Sequence, residues 1–233
     1  MTHRARLTDL FYGYLDELAE RIGGPLYLTD PGLSRRCPKA GLYFFFEHGE
    51  ARPNGRPRVV RIGTHALTPT SRTTLWGRLG QHRGQSGGTN PGGGNHRGSI
   101  FRRHVGSALL NQRGDNSQLL ASWMAPGPHP DQVQAERALE VEVSRMIREM
   151  PFLWLDVPTR PDGGSDRGLL ERNTIALLST LAGGSEAASP TWLGRHAIAP
   201  KVSGSSLWNV NHVDDAFEPS VRDLLQSYVR TTA

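Results

Sequence analysis

Two short apolar segments constrain the fold of this chain more than any other feature. Residues 41–46 are Gly-Leu-Tyr-Phe-Phe-Phe, and residues 59–63 are Val-Val-Arg-Ile-Gly. Both have the length and the aromatic or β-branched content of strands, and the Asn54-Gly55 pair between them is typical of a hairpin turn. The sequence therefore predicts an antiparallel hairpin with a tyrosine on its first strand and a glycine at the end of its second.

A segment with helical character follows the hairpin. Residues 76–82 are Trp-Gly-Arg-Leu-Gly-Gln-His, which places Arg78 and His82 four residues apart. Side chains at this spacing lie on one face of a helix. An arginine and a histidine are therefore predicted to project together from a helix that comes soon after the two strands.

Hydrophobic periodicity predicts helices around this core. They are expected from about Leu7 to Ile22 and over residues 74–83, 99–110, 131–150, 169–181 and 219–229. A further strand is expected over residues 152–157 and a short one over 25–30, with loops over 31–39 and much of 185–213. On the helix over 99–110, Ile100 is expected to face inward, and Arg102 and Arg103 outward. The predicted fold class is α+β, a small and mainly antiparallel sheet flanked by helices.

Composition restricts the cellular setting. The one cysteine, Cys37, excludes a disulfide framework and a cysteine-based zinc site, which favours a reducing compartment. No apolar run approaches the roughly 20 residues that span a bilayer, and no apolar signal core follows the N-terminus. We therefore expect a cytoplasmic protein with no membrane partner.

The distribution of charge is more informative than the net charge of +5. Residues 51–114 contain 11 arginines and four histidines but no aspartate or glutamate. A block of one sign is the pattern expected for a polyanionic partner, which predicts a nucleic acid. The preference for arginine over lysine explains the Arg/Lys ratio but not the missing carboxylates. A solvated basic face, or a surface for a protein partner, stays open as the alternative.

Residues 84–98 form a glycine-rich stretch within this block. The stretch lacks the Gly-Lys-Ser/Thr ending of a phosphate-binding P-loop, which excludes that mode of nucleotide binding. Two interpretations stay open: a mobile loop that closes over DNA, with Arg97 near its end, or a plain flexible linker.

The two strand motifs and the spacing of Arg78 and His82 resemble the GIY-YIG nucleases. Gly41-Leu42-Tyr43 is similar to the first half of the family's name motif, and Arg61-Ile62-Gly63 is similar to the second. The resemblance covers about residues 41–181. It implies a single nuclease domain over residues 1–233, with an N-terminal helical extension (1–40) and a C-terminal extension (182–233).

The resemblance also implies roles for individual residues. Tyr43 would act as general base or orient the attacking water, and Arg78 would contact the scissile phosphate. His82 matches the Arg-x-x-x-His spacing of the restriction-type branch. Glu171 resembles the family's single metal-binding glutamate and would hold Mg²⁺ or Mn²⁺. A first-turn glutamate that only stabilises its helix dipole is the alternative for Glu171, with Glu140 and Glu142 as other candidate ligands.

Arg61 departs from the family pattern, because a tyrosine is usual at this position and some restriction-type members have a lysine. Arg61 could lower the pKa of the Tyr43 phenol by favouring phenolate, bind a phosphate, or cap the edge of a strand. His65, two residues after the motif, has the same open alternatives.

These inferences predict a metal-dependent endonuclease that hydrolyses phosphodiester bonds, most simply in double-stranded DNA and in a restriction-like role. A homodimer would allow one site per chain to cut both strands. The alternatives are an inactive nucleic-acid-binding protein of the same fold and a nuclease that acts on RNA. The predicted catalytic residues are Tyr43, Arg61, Arg78, His82 and Glu171, and the predicted nucleic-acid contacts are His65, Arg83, Arg97, Arg102, Arg103, Asn209 and Asn211. The two asparagines are candidates for the phosphate-binding asparagine of the restriction-type branch.

Overall fold

The predicted hairpin supplies two strands of a three-stranded antiparallel sheet, with its first strand at the centre. The computed structural model describes residues 2–67, 71–88, 90–115, 118–127, 129–160 and 164–233. Its strands are β1 (Gly41–Ala51), β2 (Pro57–Gly63) and β3 (Phe152–Asp156), in the order β2-β1-β3. Gly55 has φ +82° in the hairpin turn, a left-handed conformation that glycine adopts without strain. The α+β class and the mainly antiparallel sheet are confirmed.

Helices cover both sides of this sheet. Within the described residues they are α1 (His3–Ile22), α2 (Leu33–Arg36), α3 (Leu75–Arg83), α4 (Ile100–Gln112), α5 (Gln118–Met124), α6 (Val133–Glu149), α7 (Arg167–Leu178), α8 (Pro200–Ser205) and α9 (Val221–Thr231). Short 3₁₀ turns occur at His96–Gly98, Pro130–Gln132 and Leu193–His196. Along the described ranges, no helix is both long and apolar enough to cross a membrane.

Several local predictions need correction. The short strand expected over residues 25–30 is reduced to one bridge between Leu26 and Phe152. Helices α2 and α5 lie where no helix was predicted, and α7 ends at Leu178 rather than at residue 181. The C-terminal part of the segment predicted as loop contains the short helix α8.

The two faces of the sheet have different environments because successive side chains of a strand point to opposite sides. Phe44 faces α1, where its ring centroid lies 5.8 Å from that of Phe11. Phe45 points to the other side and packs on Phe101 of α4, with ring centroids 5.6 Å apart. Tyr43 shares the face of Phe45 and lies opposite Gly63 of β2 and Trp154 of β3. This second face, covered by α3 and α4, carries the first half of the motif.

The C-terminal segment closes the free edge of β2. The Trp208 amide donates to the carbonyl of Val60 at 2.7 Å. The Asn209 side chain accepts from the amide of Ile62 at 3.2 Å and donates to its carbonyl at 2.9 Å, as a neighbouring strand would. Covering an edge in this way removes a site for unwanted strand pairing. Asn209 is only 3% exposed, so we withdraw it from the predicted nucleic-acid contacts.

The acid-free block is largely neutralised by carboxylates from other parts of the chain. The ion pairs are Arg52 with Asp9 and Glu186, Arg56 with Asp16, Arg58 with Glu50, Arg97 with Glu136, Arg102 with Glu140, and Arg113 with Glu142. Six of the block's 11 arginines are therefore paired inside the protein. The charge pattern overstates the positive surface available to a polyanion.

The orientation predicted for α4 is wrong in two positions. Arg102 is fully buried rather than outward, and Ile100 is 37% exposed rather than inward. Arg102 is stabilised inside because Nε lies 3.0 Å from the carboxylate of Glu140 and Nη2 donates to Ser144 at 2.8 Å. A buried guanidinium needs such partners to offset its desolvation.

Candidate active site

A chain of three buried polar side chains connects the sheet to two helices. The Tyr43 hydroxyl of β1 lies 2.8 Å from Nε2 of His82 on α3, and Nδ1 of His82 lies 2.8 Å from the hydroxyl of Ser99. Ser99 is also the N-cap of α4, since its hydroxyl accepts from the Arg102 amide at 3.3 Å. Tyr43, His82 and Ser99 are all fully enclosed. Each ring nitrogen of His82 therefore has one hydroxyl partner.

His82 is held in its neutral form. Burial lowers its pKa well below the ordinary value, and the nearby charges of Arg78, Arg61 and Arg102 lower the pKa further. A neutral imidazole has one N–H donor and one acceptor nitrogen, so the ring donates to one hydroxyl and accepts from the other. The ring can therefore fix the orientation of the Tyr43 hydroxyl by a hydrogen bond, but its lowered pKa makes it a weak proton acceptor.

Gly63 has a steric role opposite Tyr43. A Cβ at Gly63 would overlap the hydroxyl and ring of Tyr43. The Tyr43 ring crosses this position on its way to His82, so only a glycine fits. The glycine that ends the second half of the motif is thereby explained by packing.

Glu171 approaches the same end of the sheet from α7. Its Oε1 accepts a hydrogen bond from the amide of Thr64, the residue after β2, at 3.2 Å. The Thr64 hydroxyl donates to the carbonyl of Gly41 at 2.7 Å. This bond joins the first residue of the first motif half to the residue that follows the second half. Tyr43 and Glu171 are thus both anchored where β2 ends.

Burial raises the pKa of Glu171, against the charges of Arg61, His212 and Arg78 and the Thr64 amide, which lower it. A carboxylate removed from water in this way gains by binding a cation. In the described parts of the chain no donor reaches Oε2, and no group of three or more metal-ligating residues occurs. Mg²⁺ retains several waters and needs few protein ligands, so a site with one carboxylate fits it.

Two arginines lie close enough to influence both His82 and Glu171. The charges of Arg61 and Arg78 lower the pKa of each of these groups. Arg61 is buried, donates to the carbonyl of Trp208 at 2.5 Å and lies 5.5 Å from the Phe101 ring centroid. Arg78 is half-buried and donates to Gln81 at 2.7 Å. Arg78 can therefore meet a ligand directly, whereas Arg61 acts through its field.

His212 was missed by the sequence argument. It has φ +63°, its Nδ1 lies 2.9 Å from Oδ2 of Asp215, and its charge lowers the pKa of Glu171. Asp215 is held in turn by Arg172, the neighbour of Glu171 on α7, at 3.0 Å. The sequence does contain a signal for this pair, because a histidine and an aspartate lie three residues apart in a polar segment. Only the asparagines of that segment were predicted as contacts. Asn211 itself is exposed, one residue before His212.

The other predicted contacts lie elsewhere. Arg97 is bound by Glu136 at 2.8 Å, Arg103 donates to the carbonyl of Met124 at 2.5 Å, and Arg102 is buried as described. Arg83 lies 5.1 Å from the Trp76 ring centroid and is half-buried. Glu136 and Met124 thus engage Arg97 and Arg103, whereas Arg102 supports the site from inside, because its Nη1 donates to the carbonyl of His82 at 2.7 Å.

The alternative metal ligands are also engaged elsewhere. Glu140 is buried against Arg102 and His96, and Glu142 pairs with Arg113. The glycine-rich stretch over 84–98, of which Thr89 lies outside the described residues, is tied by a hydrogen bond of 2.7 Å from the Gln85 amide to the carbonyl of Gly93. Near the end of this stretch, the backbone amide of His96 donates to Glu140 at 2.5 Å.

A wide groove adjoins the cluster of Tyr43, His82, Arg78 and Glu171. The groove has a volume of about 1110 Å³, and its wall includes His65 and Gly168. His65 follows Thr64, and Gly168 lies about one helical turn before Glu171. The groove therefore lies beside Thr64 and the first turn of α7, although Tyr43, Arg78, His82 and Glu171 are not among its lining residues.

Comparison with known proteins gives one result. The sequence model of a family described as a GIY-YIG domain matches residues 2–233. No curated protein and no solved structure matches the chain significantly.

Proposed function

Because the chain belongs to the GIY-YIG family of nucleases, we propose that it is a metal-dependent endonuclease that hydrolyses phosphodiester bonds. One observation carries the proposal. The Tyr43–His82 hydrogen bond of 2.8 Å is placed beside two arginines that also act on Glu171. A proton acceptor, two cations and a carboxylate are the parts that this reaction needs.

In the proposed reaction water attacks phosphorus in line with the leaving oxygen. Tyr43 accepts or relays the proton of that water, and the neutral ring of His82 fixes the orientation of the phenol by its hydrogen bond. Tyr43 is enclosed in the free protein, so the water reaches its hydroxyl when substrate binding opens the site locally. Catalytic contacts are often completed only in the complex with substrate.

The cations stabilise the charge that develops on the phosphoryl oxygens. Arg78 is accessible and provides the planar fork that suits two phosphate oxygens. Arg61 keeps the potential positive from its buried position, and His212 adds a further charge that acts on Glu171. A divalent cation held by Glu171 would supply Lewis-acid charge for the leaving oxygen.

Double-stranded DNA is the substrate that we propose, in a restriction-like role and with Mg²⁺ or Mn²⁺. The Arg78-x-x-x-His82 spacing, which resembles the restriction-type branch, supports this choice. A homodimer would place two such sites on one duplex. The second candidate is a nucleic-acid-binding protein of the same fold without cleavage, favoured by the enclosure of Tyr43 and by Arg61 at the usual tyrosine position.

A plasmid-nicking assay separates the two candidates. We expect the wild-type protein to convert supercoiled plasmid to nicked or linear forms with Mg²⁺ or Mn²⁺, and Glu171→Gln to be inactive. Glu149→Gln, at an exposed glutamate 59% accessible on α6, is the matched control and should remain active. Binding of DNA without cleavage by wild type would support the second candidate, and equal cleavage by wild type and Glu171→Gln would contradict the proposed site. Cleavage of RNA that is faster than cleavage of DNA would show that RNA is the substrate.

A metal titration gives a readout that does not depend on cleavage. A ligand that binds only the folded state raises the apparent stability by mass action. Mg²⁺ should therefore raise the melting temperature of wild type and of Glu149→Gln but not that of Glu171→Gln. An equal rise in all three proteins would place the cation away from Glu171.

A further inference from the structure

The groove beside the proposed catalytic cluster has the properties of a binding site in its own right. Its volume of about 1110 Å³ is slightly larger than the roughly 300–1,000 Å³ of pockets that enclose small organic ligands. Its lining residues fall within 39–40, before β1, within 65–67 and 71–74, between β2 and α3, and within 156–159 and 164–168, around the end of β3 and the start of α7. It is therefore large enough for a few nucleotides of one strand.

A buried polar atom in the groove wall lacks a partner. His65 is 6% exposed, and within the described chain no group hydrogen-bonds its Nδ1. Burial lowers the pKa of His65 to about 4, with help from the charge of Arg167, so the ring is neutral at pH 7. Buried polar atoms are nearly always hydrogen-bonded. His65 lines the groove as a residue, so a polar ligand that enters there and uncovers Nδ1 would supply the missing partner.

Arg167 holds the two walls of the groove together. Its guanidinium donates to the carbonyl of Val157 at 3.2 Å and to that of Ala66 at 3.3 Å. These bonds join the segment after β3 to the segment after β2, and Arg167 is only 4% exposed. The shape around His65 is therefore fixed by an internal contact.

The accessible charges of the groove are mainly positive. Lys39 and Arg72 line it, both are exposed, and within the described ranges neither forms an ion pair. Asp156 is the one carboxylate among the lining residues, and burial raises its pKa. Exposed cations without protein partners are suited to phosphate groups.

We propose that this groove binds one to three unpaired nucleotides of the substrate strand next to the cleaved bond. A duplex presents its phosphates and keeps its bases stacked, so it does not reach an imidazole buried as deeply as His65. An unpaired nucleotide can enter a pocket and offer both its base edge and its phosphate. The proposal rests on the proposed nuclease function for its biological meaning, but binding in the groove requires no cleavage.

Binding measurements without metal test this proposal. We would compare, by fluorescence anisotropy in EDTA, a blunt DNA duplex with the same duplex carrying a short single-stranded extension at either end of one strand. The extension should increase affinity about tenfold, the scale of one added hydrogen bond to a charged group. Arg72→Ala and Lys39→Ala should each remove most of that gain and lower the single-strand salt slope by about 0.7 per lost phosphate contact.

Arg56→Ala is the matched control, because Arg56 is an arginine of the same block, 53% exposed and absent from the groove wall. The Arg56→Ala protein should keep the increase in affinity that the single-stranded extension gives. A 2-aminopurine in the extension should brighten on binding to wild type, as an unstacked base does. Equal affinity for the blunt and extended duplexes overturns the proposal, and so does a gain that Arg72→Ala and Lys39→Ala leave intact. Selective binding of the extended duplex without any cleavage in Mg²⁺ would instead refute only the nuclease function.

Discussion

The hydroxyl of Tyr43 lies 2.8 Å from Nε2 of His82, although 39 residues separate them and they belong to a strand and a helix. The ring centroids are 5.4 Å apart at an interplanar angle of 70°, so the two residues also pack edge to face. Packing fixes the orientation of both rings, and in this orientation the Tyr43 hydroxyl and Nε2 of His82 are within hydrogen-bond distance. The hydrophobic face of the sheet thus fixes the direction in which the Tyr43 hydroxyl points.

Removal of the Tyr43 hydroxyl should abolish most of the proposed activity. Tyr43→Phe keeps the ring contact with Phe45, whose centroid lies 5.5 Å away, so the fold should persist, with a loss of about 1–3 kcal/mol because Nε2 of the buried His82 loses its partner. The nicking rate should fall by about 10²-fold or more, the usual contribution of a positioned proton acceptor. Tyr14→Phe, at a half-buried tyrosine of α1, is the control and should nick at the wild-type rate. A Tyr43→Phe enzyme with more than half the wild-type rate would exclude the phenol as base.

Ser99 should affect both stability and catalysis. Ser99→Ala removes the N-cap of α4, worth about 1 kcal/mol, and leaves Nδ1 of the buried His82 unpaired at a further cost of about 1–3 kcal/mol. Thr2→Ala removes a similar cap, a bond of 3.2 Å at the start of α1, and has no contact with the site. Urea denaturation should show the larger loss for Ser99→Ala, and only Ser99→Ala should slow nicking. Equal effects of the two substitutions on nicking would mean that Ser99 only caps its helix.

Much of the fold could be predicted because its signals are local. The strand pair, the turn at Gly55 and the helix that carries Arg78 and His82 follow from spacing and residue type over short stretches. The family model confirms the resemblance that rested on those same residues. Local pattern and tertiary structure agree here because both depend on which side chains face the core.

Whether a polar side chain is buried or exposed could not be predicted, because its burial depends on partners that are far away in the sequence. Arg102 is buried by Glu140, 38 residues later, and Asn209 pairs with Ile62, 147 residues earlier. Helical periodicity assigns an arginine to the surface, and nothing local indicates a carboxylate that will meet it inside. His212 escaped notice for a related reason, since only the folded chain brings it near Glu171.

A methyl group at Gly63 should displace Tyr43. Gly63→Ala places Cβ where the Tyr43 hydroxyl now lies, so the ring must move away from His82. We expect nicking to fall about as far as in Tyr43→Phe, with a loss of stability of about 1–3 kcal/mol from overpacking. Gly13→Ala is the control, because this helical glycine has open space around it. Alanine there should raise the free energy of unfolding by about 0.5–1 kcal/mol. Thermal unfolding and the nicking assay together check both outcomes, and a Gly63→Ala protein as active as Gly13→Ala would contradict the steric role.

Glu171 and Glu140 should have opposite effects on stability. Burial raises the pKa of Glu171 in the folded state, so its ionisation opposes folding at pH 7, and this penalty disappears below the unfolded pKa of about 4.3. Glu171→Gln should therefore unfold at a higher urea concentration than wild type at pH 7 in EDTA, by a margin that vanishes near pH 4. Glu140 is buried too, but the His96 and Arg102 contacts lower its pKa, so its stabilisation is present at pH 7 and lost as pH falls through the folded pKa. Glu140→Gln should lose about 3–5 kcal/mol at pH 7, because Arg102 is left as an unpaired buried charge. A Glu171→Gln protein that is less stable than wild type at pH 7 would show that the carboxylate supports the fold rather than serving a cation.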